Sequence, residues 1–102
     1  MSEFALACPV TDLAEDKPKS CQVSGKNVTL VKSNERVFAL DGVCPHRGGP
    51  LAEGFVQDGC LYCPWHGWGF NLETGDYVGA PGIGVRTHPV EVKDGSVMVK
   101  VA

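Results

Sequence analysis

The chain has 102 residues, of which 43% are hydrophobic and 21% are charged. That length has room for one domain with one modest core, and the composition is too apolar for a disordered protein. The net charge of -3 provides no basic stripe of the kind that phosphate binding needs. Nucleic acid is therefore not an expected partner.

The N-terminal run MSEFALACPVTDLAEDK has no basic start, and Pro9 interrupts its short apolar stretch. We predict neither a signal peptide nor a membrane-spanning helix, so a cytoplasmic location without membrane contact is expected. An odd cysteine count argues against a disulfide framework in such a chain. Metal ligation is the better interpretation for some of the five cysteines, which are Cys8, Cys21, Cys44, Cys60 and Cys63.

Apolar alternation predicts short strands in EFALACPV, NVTLVK and RVFAL, each of which ends near a turn residue. The segment TDLAEDK predicts about one helical turn, with Thr11 as its cap and Pro18 as its stop. Beyond residue 70, NLETGDYV and VRTHPVEVKDGSVMVKV predict hairpins that bend at Thr74-Gly75 and Asp94-Gly95. The fold class is therefore predicted to be all-β.

Residues 42–70 are rich in glycine and differ in composition from both flanks, so we predict an insertion that carries a site. The flanks, about 1–41 and 71–102, are expected to form a β-sandwich within one domain, 1–102. In the last strand, Val97, Val99 and Val101 form one row with period two, which predicts that they face inward.

Four candidate ligands stand in the inserted stretch as Cys-x-His, then sixteen residues, then Cys-x-x-His: Cys44, His46, Cys63 and His66. Pro45 and Pro64 stiffen the backbone inside each pair, and nearby glycines allow tight bends. One interpretation is that these four residues bind no metal and are simply two buried cysteines and two unrelated surface histidines. Zinc is the stronger rival, because a Cys2His2 set satisfies its tetrahedral coordination, and ligand identity alone does not exclude it.

This run resembles the binding motif of the Rieske 2Fe-2S family, and the resemblance extends into HRGGPL and HGWGF. It implies an antiparallel β-sandwich with a small cluster-binding subdomain inserted at about 42–70, and one 2Fe-2S cluster as cofactor. Cys44 and Cys63 would bind one iron, and His46 and His66 the other. The segment GAPGIG, residues 79–84, would be the loop that the family lays over its cluster.

The resemblance also points to the soluble, low-potential branch of the family. Respiratory members carry an extra cysteine in each loop, where this chain has Gly49 and Trp65. They also place a serine and a tyrosine hydroxyl against sulfur, where this chain has Trp68 and Phe70. We therefore expect a reduction potential toward the low end of the Rieske range, which runs from roughly -150 to +300 mV.

The implied function is a monomeric electron carrier that takes electrons from a flavin reductase and passes them to an oxygenase or similar enzyme. No substrate chemistry is expected in the chain, because only His88 remains for a second iron site. One alternative is the small subunit of an NAD(P)H-dependent nitrite reductase, which has a similar sequence around CPHRGGPL and the ETG turn. The other is a binding module whose fold is stabilised by a structural zinc ion. Cys8, Cys21 and Cys60 are predicted to be core or surface thiols, and His88 an ordinary strand residue.

Overall fold

The structure is a computed structural model of the chain, and it describes residues 4–43, 50–64, 67–79 and 82–101. No helix in these ranges is long and apolar enough to cross a membrane. Two single 3-10 turns occur, at Val10–Asp12 and Leu51–Glu53. The strands are β1 (Ala5–Pro9), β2 (Lys19–Val23), β3 (Lys26–Ser33), β4 (Arg36–Asp41), β5 (Phe55–Gln57), β6 (Cys60–Tyr62), β7 (Gly69–Asn71), β8 (Thr87–His88), β9 (Val90–Lys93) and β10 (Ser96–Val99).

The strands form three antiparallel sheets, with the orders β1-β10-β9, β2-β3-β4-β8 and β5-β6-β7. Two-residue turns join four of the hairpins, and both residues of each turn have positive φ. Such mirror-image turns match the right-handed twist of paired strands, which favours antiparallel pairing of neighbours in the chain. The turns are Ser24-Gly25, Asn34-Glu35, Asp58-Gly59 and Asp94-Gly95.

The four-stranded sheet is the middle layer, because side chains from both of its faces are buried. Along β3, Val28 and Leu30 belong to a first core shared with the β1-β10-β9 sheet, while Val31 belongs to a second core. The second core contains Leu51 and side chains of the small β5-β6-β7 sheet. Burial on both faces explains why β3 is buried continuously from residue 28 to residue 31 instead of alternating.

The predicted all-β sandwich is confirmed, and several local predictions hold. The hairpin at Asp94-Gly95 forms between β9 and β10. The turn at Thr74-Gly75 is closed by a hydrogen bond from the Gly75 N-H to the Asn71 carbonyl, 2.7 Å long. Val97 and Val99 are fully buried, and Val101 packs half-buried against the same core after β10 has ended.

The helical turn predicted for TDLAEDK is wrong in position and in its cap. The turn spans Val10–Asp12, so Thr11 lies inside it, and Pro9 precedes it without any side-chain capping bond. The following residues instead pair with β3 and then turn: the Asp16 N-H donates to the Lys32 carbonyl of β3 at 2.7 Å, and the Lys17 N-H donates to the Ala14 carbonyl at 3.2 Å. Tertiary pairing with β3 thus overrides the local helical signal.

Strands β2, β5 and β6 are absent from the sequence-based prediction. β5 and β6 have only three residues each, which is too short for an alternating pattern to be recognised. Their pairing is set by the Asp58-Gly59 turn and by burial of Leu61 in the second core. The glycine-rich stretch therefore contains a small sheet as well as loops.

Candidate metal centre

Of the four predicted ligands, the structure describes Cys63. Cys44, His46 and His66 lie outside the described residues, as do Trp65 and Pro81. Within the described ranges no three His, Cys, Asp or Glu side chains group as a metal site. The geometry of the centre is therefore built from Cys63 and from the segments that lead into and out of the two ligand loops.

Cys63 directly follows β6 and is buried in the second core, with 1% of its surface exposed. Its neighbours in that core include Leu61, Phe70 and Leu72. Strand β7 pairs with β6 on the other side of the loop, so Cys63 sits where two paired strands diverge. A sulfur ligand at this position is shielded from water by aliphatic and aromatic side chains.

The loop that carries Cys63 is closed by its own backbone. The Cys63 N-H donates to the Trp68 carbonyl at 2.7 Å, and Gly67 turns the chain with a φ of 71°. Gly69 then pairs with Tyr62, and a Cβ at Gly69 would lie 2.5 Å from the Tyr62 ring. The two ends of this loop are thus held in contact, and a side chain at position 69 would require the Tyr62 ring to move.

The ends of the first loop, residues 44–49, are also held side by side. Val43 and Pro50 form an antiparallel bridge, and the Leu51 N-H donates to the Gly42 carbonyl at 3.1 Å. Leu51 is fully buried in the same core as Cys63. Both predicted ligand loops therefore start from the second core, which is the arrangement that two loops sharing one cluster require.

A buried polar contact fixes the point where the chain enters the first loop. Asp41 ends β4, and its Oδ1 atom lies 2.9 Å from Nε2 of His88 and 3.4 Å from Nζ of Lys26. The His88 side chain is fully buried, and the Asp41 N-H donates to the Arg86 carbonyl at 2.9 Å. His88 does lie in a strand as predicted, but its contact with Asp41 was missed because the two residues are far apart in sequence.

An aromatic cluster supports the second loop. Trp68 stacks on Tyr77, with ring centroids 4.2 Å apart and planes 8° from parallel, and the Phe70 ring lies tilted 5.9 Å from Tyr77. Sequence reasoning identified Trp68 and Phe70 but missed Tyr77. The only signal was its place two residues after the ETG turn, which puts it opposite Phe70.

Cys8, Cys21 and Cys60 are the cysteines that the sequence does not predict as ligands. Cys8 and Cys21 are buried together in the first core, where the two thiols interact. Burial and the neighbouring Cys21 raise the pKa of Cys8 from its ordinary 9.0 to about 11. Burial, with the nearby carboxylate of Asp58, also raises the pKa of Cys60. The raised pKa values of Cys8 and Cys60 keep these two thiols protonated at neutral pH, which makes them poor metal ligands.

Comparison with known proteins identifies the class. The family described as Rieske [2Fe-2S] domain matches residues 3–92. The alkene monooxygenase system ferredoxin component of Xanthobacter autotrophicus is 34% identical over 95% of this chain and 80% of its own length. The ferredoxin of carbazole 1,9a-dioxygenase from Nocardioides aromaticivorans superimposes with a TM-score of 0.91 at 24% identity, covering 99% of this chain and 100% of that one.

A longer protein is also similar. Apoptosis-inducing factor 3 of Mus musculus is 39% identical over 87% of this chain, yet the match spans only 14% of that protein's length. Relatives of this sequence thus include small ferredoxin components as well as one domain of a larger protein.

The chain belongs to the Rieske 2Fe-2S family, whose cofactor is a 2Fe-2S cluster. The described residues around Cys63 also fit that cofactor. The buried Cys63 supplies a sulfur donor, and the left-handed Gly67 lets the backbone of its loop turn tightly. The ends of the first loop lead to the same core, whose side chains exclude water.

Proposed function

We propose that this chain is a one-electron carrier in which Cys44, His46, Cys63 and His66 hold a single Rieske 2Fe-2S cluster. The observation that supports it best is the position of Cys63, buried in the core from which both predicted ligand loops start. In this proposal the small β5-β6-β7 sheet and residues 42–50 together form the cluster-binding part of the chain, and the other two sheets form its base.

When bound, the cluster supplies a couple that accepts and returns one electron. The chain's contribution is charge: Cys44 and Cys63 provide two negative ligands, and the histidines are neutral, so an added electron meets less repulsion than with four thiolates. The outer ring nitrogens of His46 and His66 carry protons whose loss at high pH lowers the potential. Phe70, fully buried beside Cys63, excludes water and offers no hydroxyl to sulfur.

A flavin reductase as donor and an oxygenase as acceptor fit a chain that resembles oxygenase ferredoxin components in length and sequence. We propose that it acts as a monomer in the cytoplasm and carries out no substrate chemistry itself. Membership of a nitrite reductase as its small subunit is the alternative. Co-purification with a large reductase subunit would favour that alternative, whereas reconstituted electron delivery to an oxygenase would favour the ferredoxin.

The proposal is tested by metal content and spectroscopy of the purified protein. We expect two irons per chain, a red-brown colour, and in the reduced state an electron paramagnetic resonance signal with a mean g value below that of all-cysteine clusters. Cys63→Ala should abolish the signal. Cys60→Ser is the matched control, three residues earlier at the start of β6, and should keep it. A colourless protein with one zinc would overturn the proposal.

A further inference from the structure

Tyr77 adds a side-chain contact between two segments that backbone pairing of Phe70 with Tyr77 already brings together. Its ring lies flat on Trp68, whose carbonyl closes the Cys63 loop. Its own N-H donates to the Ile83 carbonyl at 2.9 Å, which ties it to the far end of the segment that follows. One side chain therefore touches the loop of a predicted ligand, while its backbone anchors the segment that resembles the family's cover.

The space around Gly79 shows how tightly the Tyr77 ring is held. A Cβ at Gly79 would lie 2.5 Å from both Cζ and the hydroxyl oxygen of Tyr77, closer than real atoms approach. The ring is thus enclosed between the Trp68 indole on one side and the Gly79 backbone on another. Next to it, the Val78 N-H donates to the Gly69 carbonyl at 2.9 Å.

These contacts couple the two segments mechanically. Moving Trp68 away from Cys63 would break the stack on Tyr77, and lifting residues 77–79 would break the same stack from the other side. Offset aromatic pairs are worth more than their buried area alone, so opening either segment alone is unfavourable. The two segments should therefore open together or not at all.

We propose that Tyr77 is a positioning residue of the cluster site, holding the Trp68 end of the Cys63 loop and residues 77–79 together as one unit. This rests on the proposed function, because it assumes that Cys63 is a ligand. Tyr77 acts through Trp68 and Gly79, by van der Waals contact, and its hydroxyl is not required for the stack.

The test compares three variants. Tyr77→Leu removes the stack, and Tyr77→Phe keeps the ring while removing the hydroxyl. Phe55→Leu breaks another stacked pair of the same sheet, Phe55 with Tyr62 at 5.1 Å, which lies outside the closed loop and is half exposed. The readouts are the rate of bleaching by an iron chelator, the reduction potential, and hydrogen exchange of peptides that cover residues 63–68 and 76–79.

In Tyr77→Leu we expect bleaching and exchange of both segments to be about tenfold faster, which corresponds to about 1.4 kcal/mol of lost local stability. Its potential and resonance line shape should also change, which loss of global stability alone would not cause. Tyr77→Phe should match the wild type, and Phe55→Leu should leave all three readouts near wild type.

Equal effects in Tyr77→Leu and Phe55→Leu would overturn the inference, as would an unchanged Tyr77→Leu. If Tyr77→Leu does not fold, the wild type still decides, because residues 63–68 and 76–79 must exchange with one common opening rate. A coloured wild type whose segments exchange at very different rates would refute Tyr77's role and leave the proposed function standing. A wild type without iron would refute the proposed function itself.

Discussion

Thr29 is a polar residue in a position that is surrounded by the hydrophobic core. It is fully buried on the face of β3 that meets the second core, and its hydroxyl has no hydrogen-bond partner. A buried hydroxyl without a partner has lost its bonds to water and gained none in return. The β-branched shape fits the strand, so the hydroxyl itself is the unfavourable feature.

Replacing Thr29 by Val should therefore stabilise the protein, by about 1 to 3 kcal/mol, because the substitution keeps the shape and removes the unpaired polar group. Urea denaturation followed by circular dichroism measures the change. Val31→Thr, two residues along on the same face, is the reciprocal variant and should destabilise by a similar amount. A loss of stability in Thr29→Val would mean that the hydroxyl bonds a buried water.

Cys8 should make stability depend on alkaline pH. Burial, with Cys21 beside it, raises the pKa of Cys8 from 9.0 to about 11, so the native state keeps a proton that the unfolded state releases between these values. The unfolded state then binds fewer protons, and the free energy of unfolding falls as pH rises from 9 to 11. Below pH 9 both states are protonated and this contribution is fully present.

Denaturation of the wild type and of Cys8→Ala across pH 8 to 11 measures this dependence. The variant should be less stable at pH 8 because of its small cavity, but its stability should fall less steeply above pH 9. The comparison of slopes removes the contributions of lysines and tyrosines, which titrate in both proteins. Parallel curves would show that Cys8 ionises in the native state as it does in the unfolded chain.

At the scale of the elements, prediction from sequence succeeded where one pattern determined the structure. The β9–β10 hairpin follows from Asp94-Gly95 between alternating residues, and β3 follows from its apolar run. Prediction from sequence failed where the local conformation depends on residues that are distant in the sequence. Glu15 and Asp16 leave the predicted helical path because they pair with Lys32 of β3, and no local sequence pattern predicts that pairing.

The same distinction applies to the site. The spacing of cysteines and histidines identified the motif and the family, because ligand geometry constrains sequence directly. The supporting contacts were not predictable, since Tyr77 and Trp68, or Asp41 and His88, meet only after the sheets have packed. Sequence thus proposes which residues bind the cluster, and the structure adds the contacts that hold the described ends of their loops.

The turn at Gly75 is held in place by a contact between residues that are distant in the sequence. Gly75 has a φ of 80°, and a Cβ there would lie 2.1 Å from the Val85 carbonyl oxygen. Gly25 has the same φ of 80° in the β2–β3 turn, but a Cβ there would meet nothing within 4 Å. Comparing substitutions at Gly25 and Gly75 therefore separates two costs: that of placing a Cβ on a left-handed backbone, and that of a steric clash.

Gly25→Ala should destabilise by about 1 kcal/mol, the cost of a left-handed residue with a Cβ. Gly75→Ala should lose that amount and about 1 to 3 kcal/mol more, because Val85 must move away from the turn. Urea denaturation of both variants gives the difference. Equal losses would indicate that the segment around Val85 adapts without cost, and would argue against a rigid connection between it and the ETG turn.

At the scale of the whole molecule, three layers divide the core in two. The first core lies between the β1-β10-β9 sheet and the middle sheet, and it includes Val97 and Val99. The second lies between the middle sheet and the small sheet, and it contains Cys63 and Leu51, where the two predicted ligand loops begin or end. A cofactor bound by these loops stabilises the second core directly and the first only through the middle sheet.

Removing the cluster should therefore loosen the molecule unevenly. Ligand binding to the native state adds stability by mass action, and a local site adds most to the segments whose opening would release it. In protein stripped by an iron chelator, we expect peptides covering residues 50–64 and 67–79 to exchange amide hydrogens at least about tenfold faster than in the loaded protein. Peptides covering β1, β2 and β10 should change little, because their burial in the first core does not depend on the loops.

Hydrogen exchange with mass spectrometry on the loaded and stripped protein decides the matter, and reconstitution with iron and sulfide should restore the slow rates. A uniform acceleration in every peptide would mean that the two cores unfold as one cooperative unit. No acceleration in residues 50–79 would mean that the second core is stable without the cofactor. In that case the aromatic stack of Trp68 and Tyr77 and the buried Leu51 and Phe70 alone would keep the ligand loops in place.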